Sequence, residues 1–149
     1  MHQIVSEYIH NKFNQLVVKH GFRIESEINE DGYYQIIYTS DWLTIEIEEY
    51  RTELYVYLYK PNGRNEAINM YNILEFKALF STEPSDSNYF HEVKDEIERY
   101  KKQIDHITLT IINNYKLISD FFDDHDFHSN YIEFEKYRKK QYPQYYKTN

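Results

Sequence analysis

Three consecutive runs of alternating residues constrain this 149-residue chain more than any other feature. Tyr34, Ile36 and Tyr38 are followed by Leu43, Ile45 and Ile47, and then by Leu54, Val56 and Leu58. Side chains on a strand alternate faces with period two, so a one-residue slip moves a whole apolar set to the wrong side. With two-residue loops at Ser40-Asp41 and Arg51-Thr52, all nine residues share one face, which predicts antiparallel strands over 33–39, 42–50 and 53–59. The same alternation writes a second surface: Trp42, Thr44, Glu46 and Glu48 opposite Tyr59, Tyr57 and Tyr55.

A further strand is expected over Phe22–Ile28, turning at Asn29-Glu30-Asp31-Gly32. A plain four-residue turn would place Arg23, Glu25 and Glu27 on the apolar face. A one-residue bulge near Asp31-Gly32 brings Phe22, Ile24 and Ile28 inward instead, and is predicted here.

Helices flank this four-stranded meander. Val5, Tyr8, Ile9, Phe13, Leu16 and Val17 recur at steps of three and four over residues 2–20, and Gly21 supplies the stop. Pro61-Asn62-Gly63 ends the sheet, and a second helix is expected over 65–80, with Ile68, Tyr71, Leu74 or Glu75, and Ala78 on one side. Ser81 to Asn88 reads as a loop. Apolar residues from Phe90 to Phe121 predict one long helix over 89–122, about 50 Å at 1.5 Å per residue. Its second half, Thr108 to Ile112, is apolar nearly all round and should be buried. Four heptads in this stretch also admit a coiled-coil dimer. A last helix is expected from Asn130, with Glu133 completing a capping box, ending at Pro143 before a loose tail over 144–149. The fold class is α+β, in one domain over 1–149.

Composition narrows the function. Lys and Arg number 17 against 25 Asp and Glu, giving a net charge of −8. Such a chain repels phosphate backbones, so nucleic acid is not an expected partner. Acidity steers it onto a basic protein instead. No apolar run approaches the ~20 residues of a membrane span, and no signal peptide is visible. The absence of cysteine fits a reducing compartment, and a cytoplasmic protein, monomer or homodimer, is expected.

Three groups of residues are candidates for chemistry. Asp123, Asp124 and Asp126, with His125 and His128, offer oxygen and imidazole donors. Glu46 and Glu48 lie about 7 Å apart along one strand face, a separation at which paired carboxylates serve acid–base hydrolysis. Together these describe a small metal-dependent hydrolase. Neither group forms a spacing pattern of a closed metal site, and three isolated glycines make no phosphate loop; no catalytic residue, metal or cofactor is assigned. The third group is the aromatic and acidic sheet face, Trp42, Glu46, Glu48, Tyr55, Tyr57 and Tyr59, joined by Asp123, Asp124 and Asp126 as a partner-binding surface. Tyrosine and tryptophan offer large contact area at low entropy cost, and carboxylates beside them select cations. This face is either free for a partner or covered by a C-terminal helix.

The first helix ending in Lys19-His20-Gly21-Phe22, followed by Ser40-Asp41-Trp42-Leu43-Thr44-Ile45-Glu46-Ile47-Glu48 and Leu54-Tyr55-Val56-Tyr57-Leu58, resembles small acidic proteins of low-GC Gram-positive bacteria. Some of these resemble immunity proteins encoded beside polymorphic toxins. The resemblance covers about residues 13–60, carries over no functional residue, and implies an inhibitor that binds and blocks a basic cognate toxin. A phage accessory protein inhibiting a host or defence factor would use the same binding mechanism on another target.

Overall fold

The computed structural model describes residues 1–78 and 86–147. In chain order, α1 spans Gln3–His20 and is followed by strands β1 Arg23–Glu30, β2 Tyr33–Thr39, β3 Thr44–Tyr50 and β4 Glu53–Tyr59. A two-residue strand, β5 Ile68–Asn69, precedes α2 Met70–Ala78, and α3 Glu96–Asn113, α4 Tyr115–Phe121 and α5 Phe127–Gln141 complete the helices. The fold is α+β, and the antiparallel sheet has five strands rather than four, ordered β1-β2-β3-β4-β5. The extra strand pairs Ile68 with Leu58 and Asn69 with Tyr57. It is too short to show an alternation, so nothing in the pattern separated it from the helix behind it. For the same reason α2 starts at Met70 and not near residue 65. Residues 79–85, which include the end of the expected second helix and most of the expected loop, lie outside the described residues, as do 148 and 149 of the tail.

The alternation sets the sheet. Ile36, Ile47 and Val56 align across three strands, as do Tyr38, Ile45 and Leu58. All six are buried and form one core with the inward sides of the helices. The β2–β3 connection is two residues longer than expected, Thr39 pairing with Thr44 across Ser40–Leu43. A shift of two leaves every side chain on its face, so the expected surfaces survive. Ser40 organises this loop: its Oγ donates to the Leu43 carbonyl and accepts from the Leu43 amide, both at 3.1 Å. The β3–β4 loop is the expected two-residue turn, Arg51-Thr52, with φ of 51° and 67°. That is the left-handed geometry a tight hairpin needs, occupied by residues that disfavour it. The turn is held from outside, since Gln103 of α3 donates to the Thr52 carbonyl at 3.0 Å and accepts from the Leu54 amide at 2.8 Å.

The first strand departs from expectation. Asp31-Gly32 is a plain two-residue turn, with Glu30 opposite Tyr33, and the register shift lies between Ile24 and Ser26. The bulge therefore flips parity at Glu25. Ile24, opposite Tyr38, faces inward, whereas Ile28, opposite Gln35, faces outward. Glu27 takes the inner position beside Ile36, its carboxylate bonded by His10 Nε2 at 2.9 Å and the Tyr34 hydroxyl at 3.0 Å.

The expected long helix is two helices. Asp95 caps α3 by accepting from the Glu98 amide at 2.9 Å, and Phe90 before it has φ 54°, so residues 89–95 are not helical. Asn114, at φ −112°, separates α3 from α4. Tyr100, Ile104, Ile107 and Ile111 join the core, so the heptad face is used within the chain. The second half of α3 is not buried all round: Leu109 is 58% exposed. The last helix begins three residues before Asn130, whose amide nitrogen reaches back to the Phe121 carbonyl at 3.1 Å. Beyond it, Pro143–Tyr145 forms a 3-10 turn, and the Tyr142 hydroxyl donates to Glu75. Among the described residues, no helix is long and apolar enough to cross a membrane.

Candidate functional site

The two sheet faces differ in what lies over them. Core residues of the helices gather on the inner face, where Phe13 of α1 stacks on Tyr38 at 4.9 Å. The outer face carries Tyr33 and Gln35 from β2, Glu46 and Glu48 from β3, and Tyr55, Tyr57 and Tyr59 from β4. Its hydrogen bonds and ring contacts among the described residues run between strand neighbours, to Arg64 after β4, and to the segment before α3.

Across the strands Thr44 meets Tyr59, Glu46 meets Tyr57 and Glu48 meets Tyr55, as the alternation requires. The two carboxylates then part company. Glu46, its side chain 5% exposed, accepts from the Tyr59 hydroxyl at 2.9 Å and from Arg64 Nη2 at 3.3 Å. Glu48 is half-buried and makes no ion pair or hydrogen bond among the described residues. Its charge is felt by its neighbours. Burial, and then Glu48 and Glu46, push the Tyr33 and Tyr57 phenols above their ordinary range. Both remain protonated donors over the whole neutral range. Gln35, opposite Glu48, is buried with its amide nitrogen unpartnered among the described residues. Toward the hairpin end the polar groups are spoken for: the Tyr55 hydroxyl donates to Glu53, which His91 meets at 2.9 Å, and Tyr89 packs on Tyr55 at 5.5 Å.

The other expected site residues lie elsewhere. Trp42 precedes β3 in the Ser40–Leu43 loop, so strand alternation does not govern it. Its ring meets Phe22 edge-on at 6.5 Å and Tyr115 of α4 at 5.8 Å. Asp123 and Asp124 share a small cleft of about 180 Å³ with Trp42. Asp124 pairs with Lys60, whose ammonium also donates to the Phe122 carbonyl at 2.9 Å. Asp126 precedes α5 and meets His125 at 2.9 Å, which holds that imidazole above its ordinary value. The nine expected residues thus divide between an outer-face cluster (Glu46, Glu48, Tyr55, Tyr57, Tyr59) and a sheet-end group (Trp42, Asp123, Asp124), with Asp126 beside the latter. Among the described residues no three His, Asp or Glu side chains are placed to share a metal ion.

Sequence reasoning missed Tyr33, Gln35, Arg64 and Tyr89. The first two were within reach of the alternation, which assigns them to the outer face once Ile36 is inward. Arg64 and Tyr89 come from irregular segments that carry no such signal.

No family model, curated protein or solved structure matches this chain.

Proposed function

We propose that this chain is an immunity-type inhibitor whose outer sheet face binds and occludes a basic protein toxin. The observation that supports this most is Glu48: a half-buried carboxylate with no cation paired to it among the described residues, set among Tyr33, Tyr55 and Tyr57 on the sheet face away from the helical core. A group of that kind gains when a partner's arginine or lysine arrives, because the desolvation has already been partly met. The tyrosines flanking it supply rigid contact area and protonated donors. Occlusion requires no turnover, and the net charge of −8 speeds encounter with a cationic surface. A phage protein silencing a basic host factor would work identically, differing only in target.

The test is titration against any basic polypeptide encoded by a neighbouring gene, reading affinity and loss of that polypeptide's activity at several salt concentrations. Glu48→Lys is expected to weaken binding at least tenfold, mostly through faster dissociation. Glu133→Lys on exposed α5 makes the same change of charge and should cost little beyond slower association. Equal effects of the two variants would remove the outer face from the interface.

A further inference from the structure

Strand alternation sends Glu46, Glu48 and Tyr50 of β3 to the outer face, with neighbours about 7 Å apart along the strand. The first and last of these positions already carry a guanidinium of the chain's own. Arg64 lies against Glu46 as a fork: Nη2 donates to Oε2 at 3.3 Å, and Nε stands 3.2 Å from Oε1. The Tyr59 hydroxyl closes the same carboxylate at 2.9 Å. Arg51, the next basic residue after Glu48 in the chain, lies over the Tyr50 ring, 5.1 Å from its centroid. Glu48 sits between these two positions, half-buried, with no cation paired to it among the described residues.

Three features of the Glu48 position fit a guanidinium better than an ammonium. The first is its walls. Tyr55 stands directly across from Glu48 on β4, with Tyr57 on the diagonal and Tyr33 on the other side, from β2. A guanidinium is planar and weakly hydrated, so it stacks on phenol rings and sheds its water at small cost, whereas an ammonium is a compact, strongly hydrated charge. The second is the supply of acceptors. A guanidinium has five N–H donors, and a carboxylate takes two of them in a fork. The Tyr55 and Tyr59 hydroxyls are spent on Glu53 and Glu46, but those of Tyr33 and Tyr57 make no hydrogen bond among the described residues. Both of these phenols feel the charge of Glu48 more than that of Glu46, as groups beside it should. The third is the state of the neighbouring acids. Glu46 has Arg64, and Glu53 has His91 at 2.9 Å, so Glu48 is the outer-face carboxylate of β3 and β4 left for an incoming cation.

We infer that Glu48 is the receptor for an arginine side chain of the basic partner, taken in the fork that Arg64 makes on Glu46 and walled by the flanking phenols. This rests on the outer face being the interface, and it adds the identity of the side chain that the face takes.

Single residues test the inference without the partner. N-acetylarginine amide and N-acetyllysine amide, equal in charge, are titrated at millimolar concentration into the full-length protein while backbone amides are followed by NMR. The arginine compound should give saturating shifts centred on Gln35, Glu48 and Tyr55, with the lysine compound weaker by about fivefold or more. Glu48→Gln keeps the shape and removes a charge that has no paired cation, so the variant should fold, and its affinity for the arginine compound should fall about tenfold. Arg64→Ala vacates Glu46, and this variant should show a second set of shifts at Glu46 and Tyr59. The inference is overturned if the arginine compound moves no outer-face amide, if the lysine compound binds as well, or if binding survives Glu48→Gln. Should Glu48→Gln not fold, the ratio of the two compounds and the Arg64→Ala shifts still decide. Equal binding of the two compounds ends this inference and leaves the outer face as an interface for cations. Equal losses from Glu48→Lys and Glu133→Lys in the partner titration end both.

Discussion

Ile47 and Glu48 are adjacent on one strand and belong to different worlds. Ile47 is buried between Ile36 and Val56 beneath the helices, while Glu48 stands among phenols on the outer face with no cation paired to it among the described residues. The inner face is packed against the helical core, although its Tyr38 hydroxyl is also left without a partner among the described residues. The outer face holds groups, Glu48 and the Gln35 amide, that the described residues leave incomplete. Residues satisfied at home hold a fold together; residues left wanting are where a second molecule finds something to do.

Substituting the two neighbours tests this contrast most directly. Ile47→Ala should lose about 2–5 kcal/mol of unfolding free energy, since it opens a cavity in a packed core. Glu48→Ala should stay within about 0.5 kcal/mol, or stabilise by removing a desolvated charge. Denaturant titration measures both, and comparable losses would mean that the outer face is structural. Alkaline titration separates the phenols by how strongly they are raised, and the strongly raised ones lie on both faces, Tyr55 through its bond to Glu53 and Tyr59 through burial and Glu46 on the outer one. Burial raises Tyr34 and Tyr38 strongly, as it does less strongly Tyr57. A phenol raised in the folded state favours folding fully below the unfolded value near 10, and that contribution is lost as pH rises through the folded value. Stability should therefore hold to about pH 10 and fall above it. In tyrosinate absorbance, Tyr33 and Tyr57 should ionise before unfolding, and Tyr34, Tyr38, Tyr55 and Tyr59 only with it. A single step for all would erase the distinction.

Smaller effects sharpen the picture within the outer face. Arg64→Ala strips Glu46 of its cation but leaves the Tyr59 hydroxyl in place. With Arg64 62% exposed, the loss should be about 1 kcal/mol and should shrink in salt. Glu46 would then resemble Glu48, and under the proposed function affinity for a basic partner should rise. The smallest change is a gain. Replacing Arg51-Thr52 by Asn-Gly, which accept positive φ, should add about 0.5–1 kcal/mol in thermal unfolding.

What could be read from the sequence follows the range of the signal. Register between β2, β3 and β4 was legible because three alternating runs agree, and even a loop misjudged by two residues preserves parity. Trp42 was misplaced because the same loop removed it from the strand whose pattern assigned it. Ile28 was placed inward because a bulge at Glu25 leaves no mark in a run of glutamates and isoleucines. The break at Asn114 was hidden because Leu117, Ile118 and Phe121 continue the helical spacing across it.

The two hairpin loops of the meander also differ in when they can form. The Ser40–Leu43 loop closes on itself through the Ser40 hydroxyl, using residues three apart. The Arg51-Thr52 turn adopts an unfavourable backbone and is secured by Gln103, about fifty residues later. Our hypothesis is that the β2–β3 hairpin leads folding and the β3–β4 turn is locked late, when α3 docks. Ser40→Ala would then slow folding, whereas Gln103→Ala would chiefly accelerate unfolding. Stopped-flow chevrons with the opposite assignment would reverse the order. On this view the turn acts as a latch on lifetime, the sheet being kept shut by a side chain that arrives last and leaves first.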